Sequence, residues 1–150
     1  MRAINHALTG AIIGLGIPSD VAAIVLSIGS HYVLDAIPHF DMPDKDKKFL
    51  KSRAFKISLA VDAGLCLVLV LALAIVKPYN WFIACVCAFL AAAPDFFNLS
   101  LYRAVKEGKD WKPGLYNRFA GKIQWFQRPA GIVVELVWLV MASYVLAVVI

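Results

Sequence analysis

The sequence has little charge for its length. Only 17% of its 150 residues are Asp, Glu, Lys or Arg, whereas 61% are hydrophobic and the mean hydropathy is +0.75. A disordered chain has the opposite balance, and a water-soluble globule cannot keep so many apolar side chains from water. The composition therefore excludes disorder, argues against a soluble domain and predicts apolar helices surrounded by lipid.

Cysteine is also scarce. The three cysteines, Cys66, Cys85 and Cys87, all lie inside apolar runs. Their spacing is neither that of a zinc finger nor that of a secreted disulfide framework. We therefore interpret them as small residues of a helical core.

The basic residues outnumber the acidic ones, 15 to 10, but they are not spread along the chain. Fourteen of the 15 lie at Arg2 or in two polar stretches, 40–56 and 98–130, and only Lys77 stands apart. A nucleic-acid-binding domain would carry such charge on a soluble face, whereas cytoplasmic loops of membrane proteins collect it. The distribution predicts a membrane protein that does not bind nucleic acid.

The apolar segments predict an all-α fold, a polytopic membrane helical bundle with about five membrane helices in a single integral-membrane domain, 1–150. Prolines and turns separate the segments. If both basic loops are cytoplasmic, the N-terminus is cytoplasmic as well. The expected helices cover about 2–17, 19–37, 57–76, 80–95 and 131–150, with basic loops at 40–56 and 98–130.

In the second loop, 98–130, aromatic residues alternate with Lys and Arg. Rings at the depth of the headgroups and cations near phosphates are typical of an interfacial segment. We expect membrane lipid as the partner, and the alternative is a solvated loop whose aromatic side chains pack on the bundle. The loop residues expected to bind a substrate phosphate are Lys48, Lys51, Arg118, Lys122 and Arg128.

Eight ionisable residues occur inside the apolar helices or close to their ends. Such side chains are costly in lipid, so each is a candidate for function. Under the predicted topology all of them lie near the cytoplasmic boundary, whereas unrelated polar residues would be distributed over both leaflets. They are His6, His31, Asp35, His39, Asp41, Asp62, Asp95 and Glu135.

Imidazole and carboxylate groups at one depth indicate a metal site. Together they suit a divalent transition metal, Zn, Mn or Fe, and a catalytic site needs about three protein ligands and an open position for water. The expected ligands are His6, His31, Asp35, His39 and Asp95. Asp35 and Asp62 are the expected catalytic carboxylates, with Asp41, Glu135 and Asn98 in support.

Structural roles are the alternative for several of these residues. His31 and Asp35 are four apart and share a helix face, so they could form a hydrogen-bonded pair. Asp62 could pair with a loop lysine, and Glu135 with a basic residue of the second loop. A purely structural explanation must place eight costly groups at one depth, which favours the metal site.

The first helix carries His6, Gly10 and Gly14 on one side. The two glycines form a G-x-x-x-G pair, which suits close packing against another helix. His6 is therefore expected to point into the bundle and away from lipid.

A shift of 56 residues aligns 34–41 with 90–97, and four of the eight positions are identical. The match predicts two pseudo-repeated helical hairpins followed by a C-terminal helix, with chance similarity between apolar segments as the alternative. The equivalent residues would be His6 with Asp62, and His39 with Asp95.

Two N-terminal motifs carry a family resemblance. Asn5-His6-Ala-Leu-Thr-Gly10 and Ser30-His31-Tyr-Val-Leu-Asp35-Ala-Ile-Pro38-His39-Phe-Asp41 resemble the small inner-membrane-associated metal-dependent hydrolases. The resemblance covers about the first 45 residues and, weakly, Ala93-Pro94-Asp95. It implies a multi-pass protein of the inner cell membrane, with the early histidine and the helix-terminal Pro-His or Pro-Asp motif in the site.

These features predict a membrane-embedded, metal-dependent hydrolase that acts on a lipid or lipid-linked phosphoester at the cytoplasmic leaflet. A cation-binding or transport protein is one alternative, because the same residues could coordinate an ion or relay protons without cleaving a bond. A non-catalytic membrane adaptor whose basic loops recruit a partner is the other. The adaptor would tolerate replacement of His31 and His39, which the first two would not.

Overall fold

The computed structural model describes residues 1–40, 47–124 and 128–150, and every element that these residues form is a helix. The predicted all-α bundle is therefore confirmed. The elements are α1 (Ala3–Gly16), α2 (Asp20–Ala36), α3 (Lys47–Lys51), α4 (Arg53–Val76), α5 (Trp81–Ala92), a 3₁₀ turn (Ala93–Asn98), α6 (Leu99–Glu107), α7 (Leu115–Ile123) and α8 (Gly131–Val149).

Side-chain caps and prolines set the ends of the first helices. Ser19 caps α2, because its hydroxyl oxygen accepts the Ala22 N–H at 3.4 Å. Pro38 excludes continuation of the same helix. Ser52 accepts the Phe55 N–H at 3.1 Å, so α4 begins at Arg53 instead of the expected residue 57.

The helix expected over 80–95 continues further than predicted. Pro94 lacks an N–H group, and the chain tightens there into the 3₁₀ turn before α6 begins. α6 ends at Gly108, whose φ of 69° is in the left-handed region that favours glycine. The described residues of the second basic loop, 98–124 and 128–130, therefore include the helices α6 and α7.

Among the described residues, three helical stretches are long and apolar enough to cross a membrane: Arg53–Val76, Trp81–Glu107 and Gly131–Val149. α1 and α2 have 14 and 17 residues, which gives lengths of about 21 and 26 Å. Both are shorter than a hydrocarbon core of about 30 Å. Three of the five expected membrane helices are therefore long enough for a full span, and α1 and α2 are shorter than one.

α1 is the central helix and contacts α2, α4, α5 and α8. Its two glycines allow α5 to approach closely, as the G-x-x-x-G pair predicted. A Cβ atom on Gly10 would overlap the Cys87 carbonyl, and one on Gly14 would lie 2.6 Å from the Ala84 Cα. The cysteines are free. Cys87 is buried at this contact, as expected for a small core residue, and Cys66 and Cys85 are half-buried against the core.

Candidate metal centre

Two histidines from neighbouring helices meet near one end of the bundle. His6 lies one turn after the start of α1 and His31 five residues before the end of α2, so the α1–α2 hairpin brings them to the same depth. Their rings stack with centroids 4.1 Å apart and an interplanar angle of 27°. Both side chains are buried. The prediction that His6 points into the bundle is confirmed.

Asp35 lies beside both imidazoles. Its position four residues after His31 places it on the same face of α2. The Oδ1 atom is 3.2 Å from the His6 Nε2, and the Oδ2 atom is 3.4 Å from the His31 Nε2. The Met1 amino nitrogen lies 2.6 Å from Oδ1, and the Gln124 amide donates to Oδ2 at 2.7 Å. This buried carboxylate is thus surrounded by groups that compensate its charge.

Asp95 reaches the same point from the 3₁₀ turn after α5. Its Oδ1 atom lies 3.9 Å from the His31 Nε2, and its side chain is 31% exposed. One donor atom each from His6, His31 and Asp95 lies within 4.8 Å of the other two. Ligands bound about 2.0–2.2 Å from one ion are separated by about 3–4 Å. These three residues could therefore hold a metal ion after a small adjustment.

The imidazole of His31 is oriented for this role. Its Nδ1 lies 2.8 Å from the Ala91 carbonyl oxygen. A carbonyl oxygen only accepts, so Nδ1 carries the proton, and in the neutral ring the Nε2 lone pair points toward the two carboxylates. A backbone partner on the second ring nitrogen is the usual arrangement around metal-bound histidine.

The imidazole of His6 is fully buried, and neither ring nitrogen makes a hydrogen bond within the part of the chain that the structure describes. The 3.2 Å approach of its Nε2 to Asp35 does not have hydrogen-bond geometry. A buried polar group without a partner costs about 1–3 kcal/mol. A metal ion bound to Nε2 would remove part of that cost.

α7 holds the 3₁₀ turn that carries Asp95. The Tyr116 hydroxyl donates to the Pro94 carbonyl at 3.2 Å, and the Asn117 amide donates to the Asn98 Oδ1 at 3.4 Å. Burial and the neighbouring Tyr32 hydroxyl raise the pKa of Tyr116, so this donor stays protonated. Asn98 thus supports the turn. Tyr116, Asn117 and Gln124 were not predicted as site residues from the sequence, because they are uncharged and the candidates were the ionisable side chains.

Asp62, the second expected catalytic carboxylate, lies at the N-terminus of α1. Its Oδ2 accepts the Ala3 N–H at 2.9 Å and its Oδ1 accepts the Ile4 N–H at 3.1 Å. A carboxylate at this position satisfies two free N–H groups and interacts favourably with the helix dipole. Asp62 therefore fixes the turn that precedes His6 and stays outside the His6, His31 and Asp95 group.

His39 is buried, but the structure does not bring it to that group. Its Nδ1 lies 2.8 Å from the Ile37 carbonyl oxygen, and its backbone packs directly against Gly131 at the start of α8. Glu135 lies nearby, because its Oε1 accepts the Phe40 N–H at 3.2 Å. His39 and Glu135 thus occupy a separate polar contact between the end of the α1–α2 hairpin and α8, and Asp41 lies outside the described residues.

The expected phosphate-binding residues are dispersed over the surface. Arg118 and Lys122 are exposed on α7, and Arg128 is exposed while its N–H donates to the His39 carbonyl. Lys51 lines a pocket formed by α3, α4 and α6. The backbone of Lys48 belongs to α3, and its side chain lies outside the described part of the chain.

No protein-family model, curated protein or solved structure matches the chain. The resemblance to metal-dependent hydrolases therefore stays a prediction from the N-terminal motifs.

Proposed function

We propose that the protein is a membrane-embedded, metal-dependent hydrolase that acts on a lipid or lipid-linked phosphoester. The observation that carries the proposal is the meeting of His6, His31 and Asp95 within 4.8 Å, with Asp35 beside the two imidazoles. Two nitrogen donors and one oxygen donor suit Zn, Mn or Fe. Three protein ligands leave a position for water.

The residues have distinct roles in this mechanism. A bound divalent ion would lower the pKa of its water and polarise a phosphoryl oxygen. Asp35 is the proposed proton acceptor, since it touches both imidazoles, whereas Asp62 lies outside the ligand group and caps α1. Asp95, the most exposed member of the group, lies on the side from which a substrate would approach.

The surroundings favour a lipid substrate at the cytoplasmic leaflet of the inner membrane. The α1 start, the α2 end and the 3₁₀ turn meet at the site through contacts of Asp35 and His31, and Asp62 of α4 caps α1 beside it. Arg2 and both basic loops adjoin this end of the bundle, and the positive-inside rule assigns it to the cytoplasm. Accessibility labelling at Lys109 and Pro78 should report opposite sides.

Asp35→Asn, with Asp20→Asn as its matched control on the same helix, tests the proposal. Asp20 is exposed in the first turn of α2, so its replacement removes the same charge away from the site. The purified full chain is incubated with anionic phospholipids and lipid phosphates in mixed micelles, and released phosphate or headgroup is measured. We expect turnover that chelation abolishes, that Asp35→Asn lowers by about 10²–10⁴-fold and that Asp20→Asn leaves unchanged.

Metal content is measured on the same samples. If the wild-type protein holds its metal but turns over no lipid of a broad panel, the hydrolase proposal is wrong, and the same ligands would serve cation binding or transport. If Asp20→Asn loses turnover as strongly as Asp35→Asn, the assigned proton acceptor is wrong.

A further inference from the structure

A second site-like feature lies apart from the metal centre. Helices α3, α4 and α6 enclose a pocket of about 440 Å³, within the range of small-molecule pockets, about 300–1,000 Å³. None of its lining residues belongs to the metal centre. They are Leu50, Lys51, Lys56, Tyr102, Val105 and Lys106.

The charge of this pocket has one sign. Its three lysines come from three different helices, and the described residues that line it include no carboxylate. The adjacent Glu107 is engaged elsewhere, since its carboxylate oxygens lie 3.0 Å from the Arg103 Nε and 2.8 Å from the Lys109 Nζ. Three ammonium groups around one cavity repel one another, and a bound anion relieves that repulsion.

The remaining lining residues make the pocket amphipathic. Val105 forms a buried apolar wall, and the Tyr102 ring packs 5.9 Å from that of Phe55. Tyr102 also offers a hydroxyl group, which suits a phosphate oxygen. A ligand for this pocket should therefore combine a phosphate with apolar groups.

The pocket lies where the apolar part of α4 begins. Lys56 lines it, and the next residue, Ile57, starts a run of large apolar side chains that are about half exposed, including Leu59 and Val61. An amphiphile with its phosphate between the lysines would have its acyl chains beside this surface. A free phosphate ester would leave the apolar surface unused.

We infer that this pocket binds the phosphate headgroup of an anionic membrane lipid. The site is separate from the metal centre, and the inference does not depend on hydrolysis. Basic residues near an anionic lipid surface attract it electrostatically, and their contributions add. Three lysines therefore favour anionic over zwitterionic lipid.

The test measures lipid binding to the detergent-purified full chain by native mass spectrometry. The probes are dioctanoyl phosphatidylglycerol, dioctanoyl phosphatidylcholine and glycerol 3-phosphate. The pocket variant combines Lys51→Gln, Lys56→Gln and Lys106→Gln. The matched control loses the same charge outside the pocket lining through Arg53→Gln, Lys77→Gln and Lys112→Gln.

We expect phosphatidylglycerol to bind at least tenfold more tightly than phosphatidylcholine or glycerol 3-phosphate. The pocket variant should lose about tenfold in affinity for phosphatidylglycerol, and the control less than threefold. A variant with arginine at all three pocket positions should keep the binding, which also covers the case in which the glutamine variant fails to fold. Equal losses in the pocket variant and the control, or weak binding by the arginine variant, would overturn the site. Tight binding of glycerol 3-phosphate would overturn the lipid assignment in favour of a soluble phosphate ester.

Discussion

The inner helices α1, α2 and α5 differ from the outer helices α4 and α8 in what they bury. The inner group encloses polar side chains such as Asn5, Ser27 and Asp35, together with both stacked histidines. The outer helices are no more apolar than α1 and α5, yet their membrane-length windows are only 11% and 17% buried. Burial in this protein therefore does not follow hydrophobicity.

This difference in burial shows which residues a membrane can stabilise and which it cannot. Lipid solvates Leu and Val as well as a protein core does, so the outer helices need little protein around them. Ionisable groups are costly in lipid and lie inside, where they meet one another. Substitutions of buried residues should therefore affect both the candidate site and the stability of the fold. The predictions below compare buried with exposed positions.

The largest effect should come from the two stacked imidazoles. His6→Ala combined with His31→Ala removes two of three donor groups, so we expect bound transition metal to fall from about one equivalent to background. Metal content is measured by mass spectrometry on the purified protein. His39→Ala removes an equally buried histidine outside the group and should keep the metal. Equal metal loss in His39→Ala would extend the centre to His39, and full retention by the double variant would disprove the ligand assignment.

The next effect concerns the contact between α1 and α5. Gly10→Ala places a Cβ atom against the Cys87 carbonyl, and we expect it to lower the free energy of unfolding by about 1–3 kcal/mol. Gly16→Ala, on the same helix but with open space around the new methyl group, should be neutral or slightly stabilising. Thermal unfolding in detergent, followed by circular dichroism, measures both. Equal melting temperatures for the two variants would contradict the close helix contact.

A smaller effect is expected at the cap of α1. Asp62→Ala leaves the Ala3 and Ile4 N–H groups without their acceptors, at a cost of about 1–2 kcal/mol. Asp62→Asn keeps one acceptor oxygen and should lie between alanine and the wild type. The same unfolding measurement gives the order of the three proteins. An alanine variant as stable as the wild type would show that the cap contributes nothing.

The smallest effect should appear on the outer surface. Val140 on α8 is 68% exposed, so Val140→Leu exchanges one exposed apolar side chain for another and should change stability by less than about 0.5 kcal/mol. Ala11→Leu adds bulk at a fully buried position of α1 and should destabilise by about 1–3 kcal/mol. If both changes destabilise equally, α8 packs against something besides lipid.

The sequence alone was enough to predict the bundle and most of the candidate centre. The i, i+4 spacing of His31 and Asp35 fixes a shared face, and a short hairpin brings His6 to the same end. Asp95 followed from its place at the end of an apolar segment. These inferences use only helix periodicity and the cost of charge in lipid.

The remaining features depend on contacts between distant segments. The two oxygens of Asp62 cap a helix that begins 59 residues earlier, a pairing that helix periodicity does not encode. His39 turns toward α8 because Gly131 lets the backbones touch, and Gln124 reaches Asp35 from a loop. The sequence gives the type of each of these side chains but not its partner.

The cap on α1 also constrains the order in which the protein is assembled during synthesis. Ala3 and Ile4 leave the ribosome long before Asp62, so the first turn of α1 acquires its acceptors only after α4 has begun to emerge. Asp95 emerges later still, after the whole of α5. An ion that met the newly inserted α1–α2 hairpin would find two imidazoles and Asp35 but lack Asp95. The complete set of donors thus exists only after α5 has been made, so all three residues could hold an ion together only late in the biogenesis of the protein.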